Sequence, residues 1–199
     1  NAQYVVSNNC GNISINNTTI NAGSNANQFA FDVCGYAKYT AGVTVTVSGT
    51  SVINGKVEIS KSAGNTEPMK LNITGGTFNG DLKVDASVGT ENAKSIISVS
   101  GGTFSDPSAL KYMKANANVN IKLTADKTCP GFKTTSGQTL TMDLGGKILT
   151  LADPTVGSTG TETNSCQLLE GSNVTFKNGT LKSDNNKIMI QNYCNLTLD

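Results

Sequence analysis

The 199-residue chain contains no arginine, no histidine and no tryptophan, and its fifteen basic residues are all lysine. Without arginine there is no bidentate clamp for carboxylates or phosphates. Without histidine the usual general base near neutral pH and the commonest metal ligand are both missing. Fifteen lysines against fourteen acids leave a net charge of +1. Such a surface has no long-range field to draw in nucleic acid or an anionic membrane. No apolar run approaches the roughly eighteen residues that cross a bilayer, so no membrane insertion is expected. The five cysteines, Cys10, Cys34, Cys129, Cys166 and Cys194, are odd in number and form no C-x-x-C pair. That argues against a closed disulfide framework and against zinc, and the expectation is small, buried, apolar side chains.

What the chain does have is asparagine, threonine, serine and glycine, with valine, isoleucine and leucine in short alternating runs. One pattern recurs: an apolar–polar–apolar strand, a Gly/Asn turn, Thr or Ser, and a further apolar residue. It reads Asn-Ile-Ser-Ile-Asn-Asn-Thr-Thr-Ile at 12–20 and Thr-Val-Thr-Val-Ser-Gly-Thr-Ser-Val at 44–52. It returns as Leu-Asn-Ile-Thr-Gly-Gly-Thr-Phe at 71–78, Ile-Ser-Val-Ser-Gly-Gly-Thr-Phe at 97–104 and Asn-Val-Thr-Phe-Lys-Asn-Gly-Thr-Leu at 173–181. The last strand residues before the turns, Ile15, Val47, Ile73, Val99 and Phe176, serve as anchors. They are spaced by 32, 26, 26 and 77 residues, the last close to three periods of 26. A weaker copy, Leu-Thr-Met-Asp-Leu-Gly-Gly-Lys-Ile at 140–148, falls within the long gap. A second strand family precedes the anchors at 4–6, 29–31, 57–59, 82–84 and 188–190.

A period in the twenties with about three short strands per period fits an all-β, right-handed parallel β-helix, a solenoid. Alternation sends one side chain inward and the next outward. A single coil cannot bury its inward stripe, but stacked coils form one continuous core. Glycine and asparagine suit the sharp turns, and stacked Asn and Thr are expected to form amide and hydroxyl ladders. An antiparallel sandwich or barrel is the competing architecture, but such folds rarely repeat one turn motif at one period.

Residues 106–117 break the alternation. Asp106 is a plausible N-cap and Pro107 a first-turn proline, so a short helix is expected there. It divides the chain into residues 1–105, the late coils of one repeat block, a helical boundary at 106–118, and residues 119–199, the early coils of the next. The sequence opens on Asn1 rather than Met, and Leu198 looks like a further anchor; a window of a longer, repetitive protein is expected. Lining up the chain ends as a tandem array puts Cys10 and Cys194 at one corner, with Cys34 nearly matching, which suggests an inward cysteine ladder.

The segments Ser-Gly-Gly-Thr-Phe-Ser-Asp-Pro-Ser (100–108), Ile-Lys-Leu-Thr-Ala-Asp-Lys-Thr (121–128) and Thr-Met-Asp-Leu-Gly-Gly-Lys-Ile-Leu-Thr-Leu (141–151) resemble repeat proteins of the pectate-lyase-like right-handed β-helix class. Similar repeats occur in surface proteins of gut bacteria and in phage fibres. The resemblance implies architecture more than activity. Enzymes of that class lyse or hydrolyse polysaccharides, with an Arg base and Asp-bound calcium or with grouped Asp supported by His, Arg or Lys.

Here Arg and His are absent and the acids look dispersed: Glu58, Asp81, Asp85, Asp126, Asp143, Asp153, Glu162, Glu170 and Asp184. Asp81 and Asp85 are expected to be solvated beside Lys83. Asp126, Asp143 and Asp153 form no calcium-loop motif. No catalytic residue, cofactor site or metal site is assigned. Tyr36, Lys38 and Tyr39 occupy a longer loop and are the candidate glycan contacts, the alternative being tyrosines that merely pack on the coils. A polar excursion at 152–164 reads as a mobile loop.

The expected function is a non-enzymatic structural segment of a long extracellular fibre, on a virion or a bacterial surface, with adhesion to host or glycan as an overlapping role. The alternative is a protein that binds or degrades polysaccharide. Expected partners are neighbouring repeats or subunits of the same fibre, as in a homotrimer, and a surface glycan.

Overall fold

The computed structural model describes residues 3–23, 25, 27–183 and 187–199. It is mostly β, built from short parallel strands, and divides into two compact units, Asn1–Thr103 and Phe104–Asp199. The first contains β1 (Tyr4–Val6), β2 (Gly11–Asn16), β3 (Thr19–Asn21), β4 (Phe29–Gly35), β5 (Val43–Ser48), β6 (Val52–Asn54), β7 (Lys56–Lys61), β8 (Met69–Ile73), β9 (Thr77–Phe78), β10 (Leu82–Val84), α1 (Thr90–Ile96) and β11 (Ile97–Phe104). Strands pair in parallel with the strand three places later in the chain: β1–β4–β7–β10, β2–β5–β8, and β3–β6–β9. β11, which follows α1, extends the second series by pairing with β8.

The register places the sequence anchors side by side. Ile15 pairs with Val47, Val47 with Ile73, and Ile73 with Val99. All four are buried. In β5 the valines are buried while Thr44, Thr46 and Ser48 are half-exposed, the two-residue period of a strand with one face in the core. Branched side chains fit this pleated, half-buried surface well.

Polar groups tie the rounds together at their edges. Asn54 Nδ2 donates to Asn21 Oδ1 and Asn79 Nδ2 to Asn54 Oδ1, each at 2.6 Å, an amide ladder across three rounds. Hydroxyls meet each other across rounds later in the chain, Thr134 Oγ1 lying 2.8 Å from Ser172 Oγ, but here they meet backbone carbonyls. Thr74 Oγ1 donates to the carbonyl of Val47, and Ser100 Oγ to that of Ile73, both at 3.3 Å. Each hydroxyl follows an anchor and caps the anchor of the round before. Glycine matters most where turns stack: a Cβ on Gly80 would lie 2.4 Å from the carbonyl oxygen of Gly55.

The second unit contains a 3-10 turn at Pro107–Tyr112, then β12 (Met113–Lys122), β13 (Lys127–Pro130), β14 (Phe132–Lys133), β15 (Thr139–Asp143), β16 (Ile148–Ala152), β17 (Asn164–Leu168), β18 (Asn173–Lys177), β19 (Thr180–Lys182), β20 (Ile188–Asn192) and β21 (Asn195–Leu198). The same three-place pairing recurs: β12–β15–β18–β21, β13–β16–β19 and β14–β17–β20, all parallel. Ile121, Met142, Phe176 and Leu198 share one register row. The weak copy at 140–148 is thus a full member. Phe176 follows Met142 by 34 residues because the chain makes its excursion between β16 and β17. That excursion is folded back by an antiparallel bridge between Val156 and Asn164 and by Gly160 N–H donating to the Glu162 carboxylate at 3.1 Å.

One helical expectation is corrected. Asp106 does cap a turn, its carboxylate accepting from Ser108 N at 2.9 Å with Pro107 in the first position. The turn ends at Tyr112, however, and residues 113–118 already belong to β12. Asn116, at φ 59°, interrupts any helix, and Ala117, Val119 and Ile121 alternate inward as a strand. The other helix, α1, buries only Ala93 and carries no apolar stripe by which a sequence reader would find it.

Truncating an anchor tests the register row. Ile73→Ala leaves a void between two neighbours in a fully buried row and is expected to lower unfolding free energy by about 2–5 kcal/mol, measured by denaturant titration.

Candidate functional site

The chain segments joining the first strand series of unit one to the second stack on one corner. Gly11 N–H donates to the Gly42 carbonyl at 2.8 Å, Val43 N–H to the Pro68 carbonyl at 2.9 Å, and Ser62 N–H to the Gly35 carbonyl at 2.8 Å. The loop at 36–42 therefore rests on the loop at 62–68. Ala37 N–H donates to Ser62 Oγ at 2.8 Å. A Cβ on Gly35 would strike Asn65 Nδ2 and Met69 Sδ, so glycine permits the close approach.

Tyr36 and Tyr39 project from this corner, 43% and 44% exposed. Their ring centroids lie 5.7 Å apart at an interplanar angle of 45°. A turn holds them together, Tyr39 N–H donating to the Tyr36 carbonyl at 3.0 Å. Lys38 sits between them and is exposed. Two large amphipathic rings held half in solvent are the kind of platform on which an apolar sugar face stacks.

Beside the tyrosine loop runs a groove of about 450 Å³ between the 62–70 segment and α1. Met69, Val88 and Ile96 supply apolar surface, and Lys61, Asn65, Glu67, Lys70, Asn92 and Ser95 supply polar groups. Asn65 Nδ2 donates to the Glu67 carbonyl at 3.1 Å, which fixes the orientation of the amide, while its Oδ1 is buried without a donor. The sequence reading singled out the tyrosines but missed the groove, because one wall of it, Asn92, Ser95 and Ile96, belongs to the unforeseen α1.

A second cluster was also missed. Asp32, Glu58 and Lys83 follow one another at 26 and 25 residues, the repeat period, and the register pairs Asp32 with Glu58 and Glu58 with Lys83. Both carboxylates are buried. Asp32 Oδ1 accepts from Asn8 N–H at 2.7 Å and its Oδ2 from Ser7 Oγ at 3.2 Å. Glu58 accepts from the Tyr4 hydroxyl and pairs with Lys83 Nζ at 3.3 Å. Lys83 also lies 5.0 Å over the Phe29 ring, which stacks on Tyr4 at 5.2 Å. Burial pushes the Asp32 carboxyl above its ordinary range, against the hydrogen bonds from Asn8 and Ser7, and the neighbouring Glu58 adds to the rise. Burial, followed by the Glu58 carboxylate, raises the Tyr4 hydroxyl. These acids are occupied in holding four successive strands together.

Three further acids accept from backbone N–H groups. Asp85 accepts from Ser87 N–H at 2.8 Å, Asp126 from Ile148 N–H at 2.9 Å, and Asp143 from Gly145 N–H at 3.1 Å. Asp184 lies outside the described residues. Among the described residues, no three acids or cysteines gather as a metal site. All five cysteines are free. Cys129 and Cys166 are buried, and burial pushes each thiol up to about 12. Cys10 is exposed and Cys34 is half-buried opposite Ser60 in the register. The expected inward ladder at that corner is therefore corrected: Cys10 precedes β2 in the turn and does not enter the core.

No protein-family model, no curated protein and no solved structure matches the chain.

Two carboxylates give opposite pH tests. Asp32 is harder to ionise in the folded chain than in the unfolded one, so its charge costs stability above the unfolded value of about 3.9. Asp32→Asn is expected to stabilise at pH 7, with the gain shrinking as the pH falls through the raised folded value and gone below the unfolded one. At Asp106, burial raises the carboxyl, but the Lys127 ammonium at 2.7 Å and the Ser108 hydrogen bonds together outweigh it, and the net shift is downward. Its contribution is present above the unfolded value and lost as the pH falls through the folded one. Asp106→Asn is expected to destabilise at pH 7 and to converge on the parent in acid. Denaturant midpoints across pH 3–7 check both signs.

Proposed function

We propose that each unit is a run of coils of a right-handed parallel β-helix, and that the chain is a non-enzymatic structural segment of a long extracellular fibre with a glycan contact on its flank. The observation that carries this is the pairing of every strand series with its equivalent three strands on, in both units, with one apolar row in register. Three short parallel strands per round require crossover connections, and such connections are right-handed in about 98% of cases. A core made this way lengthens by adding rounds and needs no separate hydrophobic centre. That is a suitable design for a fibre, on a virion or a bacterial surface, whose partners are neighbouring repeats or subunits such as those of a homotrimer.

The buried acids support a structural role rather than a hydrolytic one. Asp32 and Glu58 are adjacent, but their oxygens are taken by Asn8, Ser7, Tyr4 and Lys83, leaving neither of the two poised over open space for acid–base work. The exposed tyrosine pair favours binding of sugar without cleavage.

Antibody labelling of the source particles or cells under the electron microscope tests the fibre reading. Decoration of filamentous appendages is expected, and label confined to the cell interior contradicts it. For the glycan contact, Tyr36→Ala with Tyr39→Ala is expected to abolish retention on a glycan array while leaving the thermal midpoint within about 2 °C, since both rings are half-exposed.

A further inference from the structure

The outer face of the second unit's β12–β15–β18–β21 series carries its charges in an ordered row. Ile121, Met142 and Phe176 point into the core, so the residues that follow them, Lys122, Asp143 and Lys177, point outward. The register pairs Lys122 with Asp143 and Asp143 with Lys177. Asp199 follows Leu198 as Lys177 follows Phe176, and its N–H donates to the Phe176 carbonyl at 3.0 Å. Across four strands the row therefore alternates in sign: plus, minus, plus, minus. Lys122 and Asp199 are exposed, Asp143 and Lys177 half-exposed. Neither lysine forms an ion pair among the described residues. Asp143 accepts from Asn178 Nδ2 at 3.2 Å and from Gly145 N–H at 3.1 Å, both on Oδ1. Those bonds, followed by the Lys177 and Lys122 charges, hold its carboxyl below the ordinary range, so it is ionised at neutral pH. The row beside the charges is Asn120, Thr141, Thr175 and Thr197. Short amide and hydroxyl groups keep this face flat, and each both donates and accepts.

An alternating row of even length, turned end for end, sets a plus opposite every minus. A two-fold axis parallel to the strands performs that reversal. It brings two copies face to face, keeps each row opposite itself and inverts the strand order. Lys122 of one copy then meets Asp199 of the other, and Asp143 meets Lys177, each contact made twice. In the neighbouring row Thr141 meets Thr175 and Asn120 meets Thr197. No like charges meet, and no polar group is left facing an apolar one.

We infer that this face is a self-complementary contact through which two copies of the chain pair side by side. The inference rests on the fibre reading, for which it names one neighbour and its mode of contact. Five residues at about 3.3 Å each by four strands at about 4.8 Å cover roughly 300 Å². A stable interface buries roughly 800 Å² per partner. One such face therefore gives a weak, salt-sensitive pair, and copies lined up along a fibre add to one another.

The test is sedimentation equilibrium of the full chain up to about 1 mM. The parent is expected to rise above its monomer mass of 20.6 kDa, with a Kd of about 0.1–1 mM at low salt. Raising salt from about 0.05 to 0.5 M is expected to weaken the pairing by about tenfold or more. Asp143→Lys alone and Lys177→Asp alone each set like charges opposite one another twice, and each is expected to cost about tenfold or more. Asp143→Lys combined with Lys177→Asp gives plus, plus, minus, minus, which is complementary again on reversal. That double variant is expected to pair as the parent does, and so is an equimolar mixture of the two single variants. Circular dichroism melts check folding, and if Asp143→Lys unfolds through loss of its turn hydrogen bonds, Lys177→Asp carries the single-reversal arm. A parent that stays monomeric overturns the inference. Association indifferent to the single reversals runs through another surface and overturns it too, as does a loss that neither the double variant nor the mixture restores. These failures concern pairing alone and leave the fibre reading to its own labelling experiment.

Discussion

The whole architecture depends on one constraint: an inward apolar stripe three strands long that no single round of chain can cover by itself. Val47 is sheltered because Ile15 lies on one side of it in the register and Ile73 on the other. Fully burying an aliphatic side chain of this size contributes about 1.5–3 kcal/mol, and in such a row each contribution depends on the neighbours being in place. Stability is accordingly cooperative along the stack. Parallel pairing keeps like beside like, so the same constraint that aligns valines and isoleucines inside aligns asparagines outside.

That alignment explains the polar periphery. The Asn21–Asn54–Asn79 ladder, the hydroxyls of Thr74 and Ser100 on the carbonyls one round back, and the Asp32–Glu58–Lys83 row are all consequences of register. Two acids next to each other would repel, and the rise of the Asp32 carboxyl records part of that tension. The Lys83 ammonium and the Tyr4 hydroxyl offset it at Glu58, while Ser7 and Asn8 do so at Asp32. The corner loops, by contrast, are outside the register rows. There the chain varies in length from round to round, and there the tyrosine pair and the lysine-lined groove are found.

The anchor rows were legible in the sequence because alternation and a Gly/Asn turn recur around them. Ile15, Val47, Ile73 and Val99 are register partners as the spacing suggested, and Phe176 and Leu198 likewise. Ile121 escaped notice as a member of the second unit's row because Lys122-Leu123-Thr124 follows it instead of a glycine turn. The seven-residue α1 escaped because its single buried alanine leaves no periodic trace. Of the candidate site, the tyrosines could be seen as an insertion in a short-loop pattern. The groove could not, since it needs residues from 61 to 96 brought together. The Asp32–Glu58 pair was within reach: charged residues spaced at the repeat period mark adjacent side chains once the period is known.

The in-register parallel stacking is tested most directly by methyl–methyl nuclear Overhauser contacts in Ile/Leu/Val-labelled protein. The account predicts contacts of the Ile73 methyls with Val47 and with Val99, and of Val45 with Leu71, as in the register rows. Contacts that instead place Ile73 opposite residues of its own preceding strand in antiparallel order, or Val47 and Ile73 without a mutual contact, would contradict it.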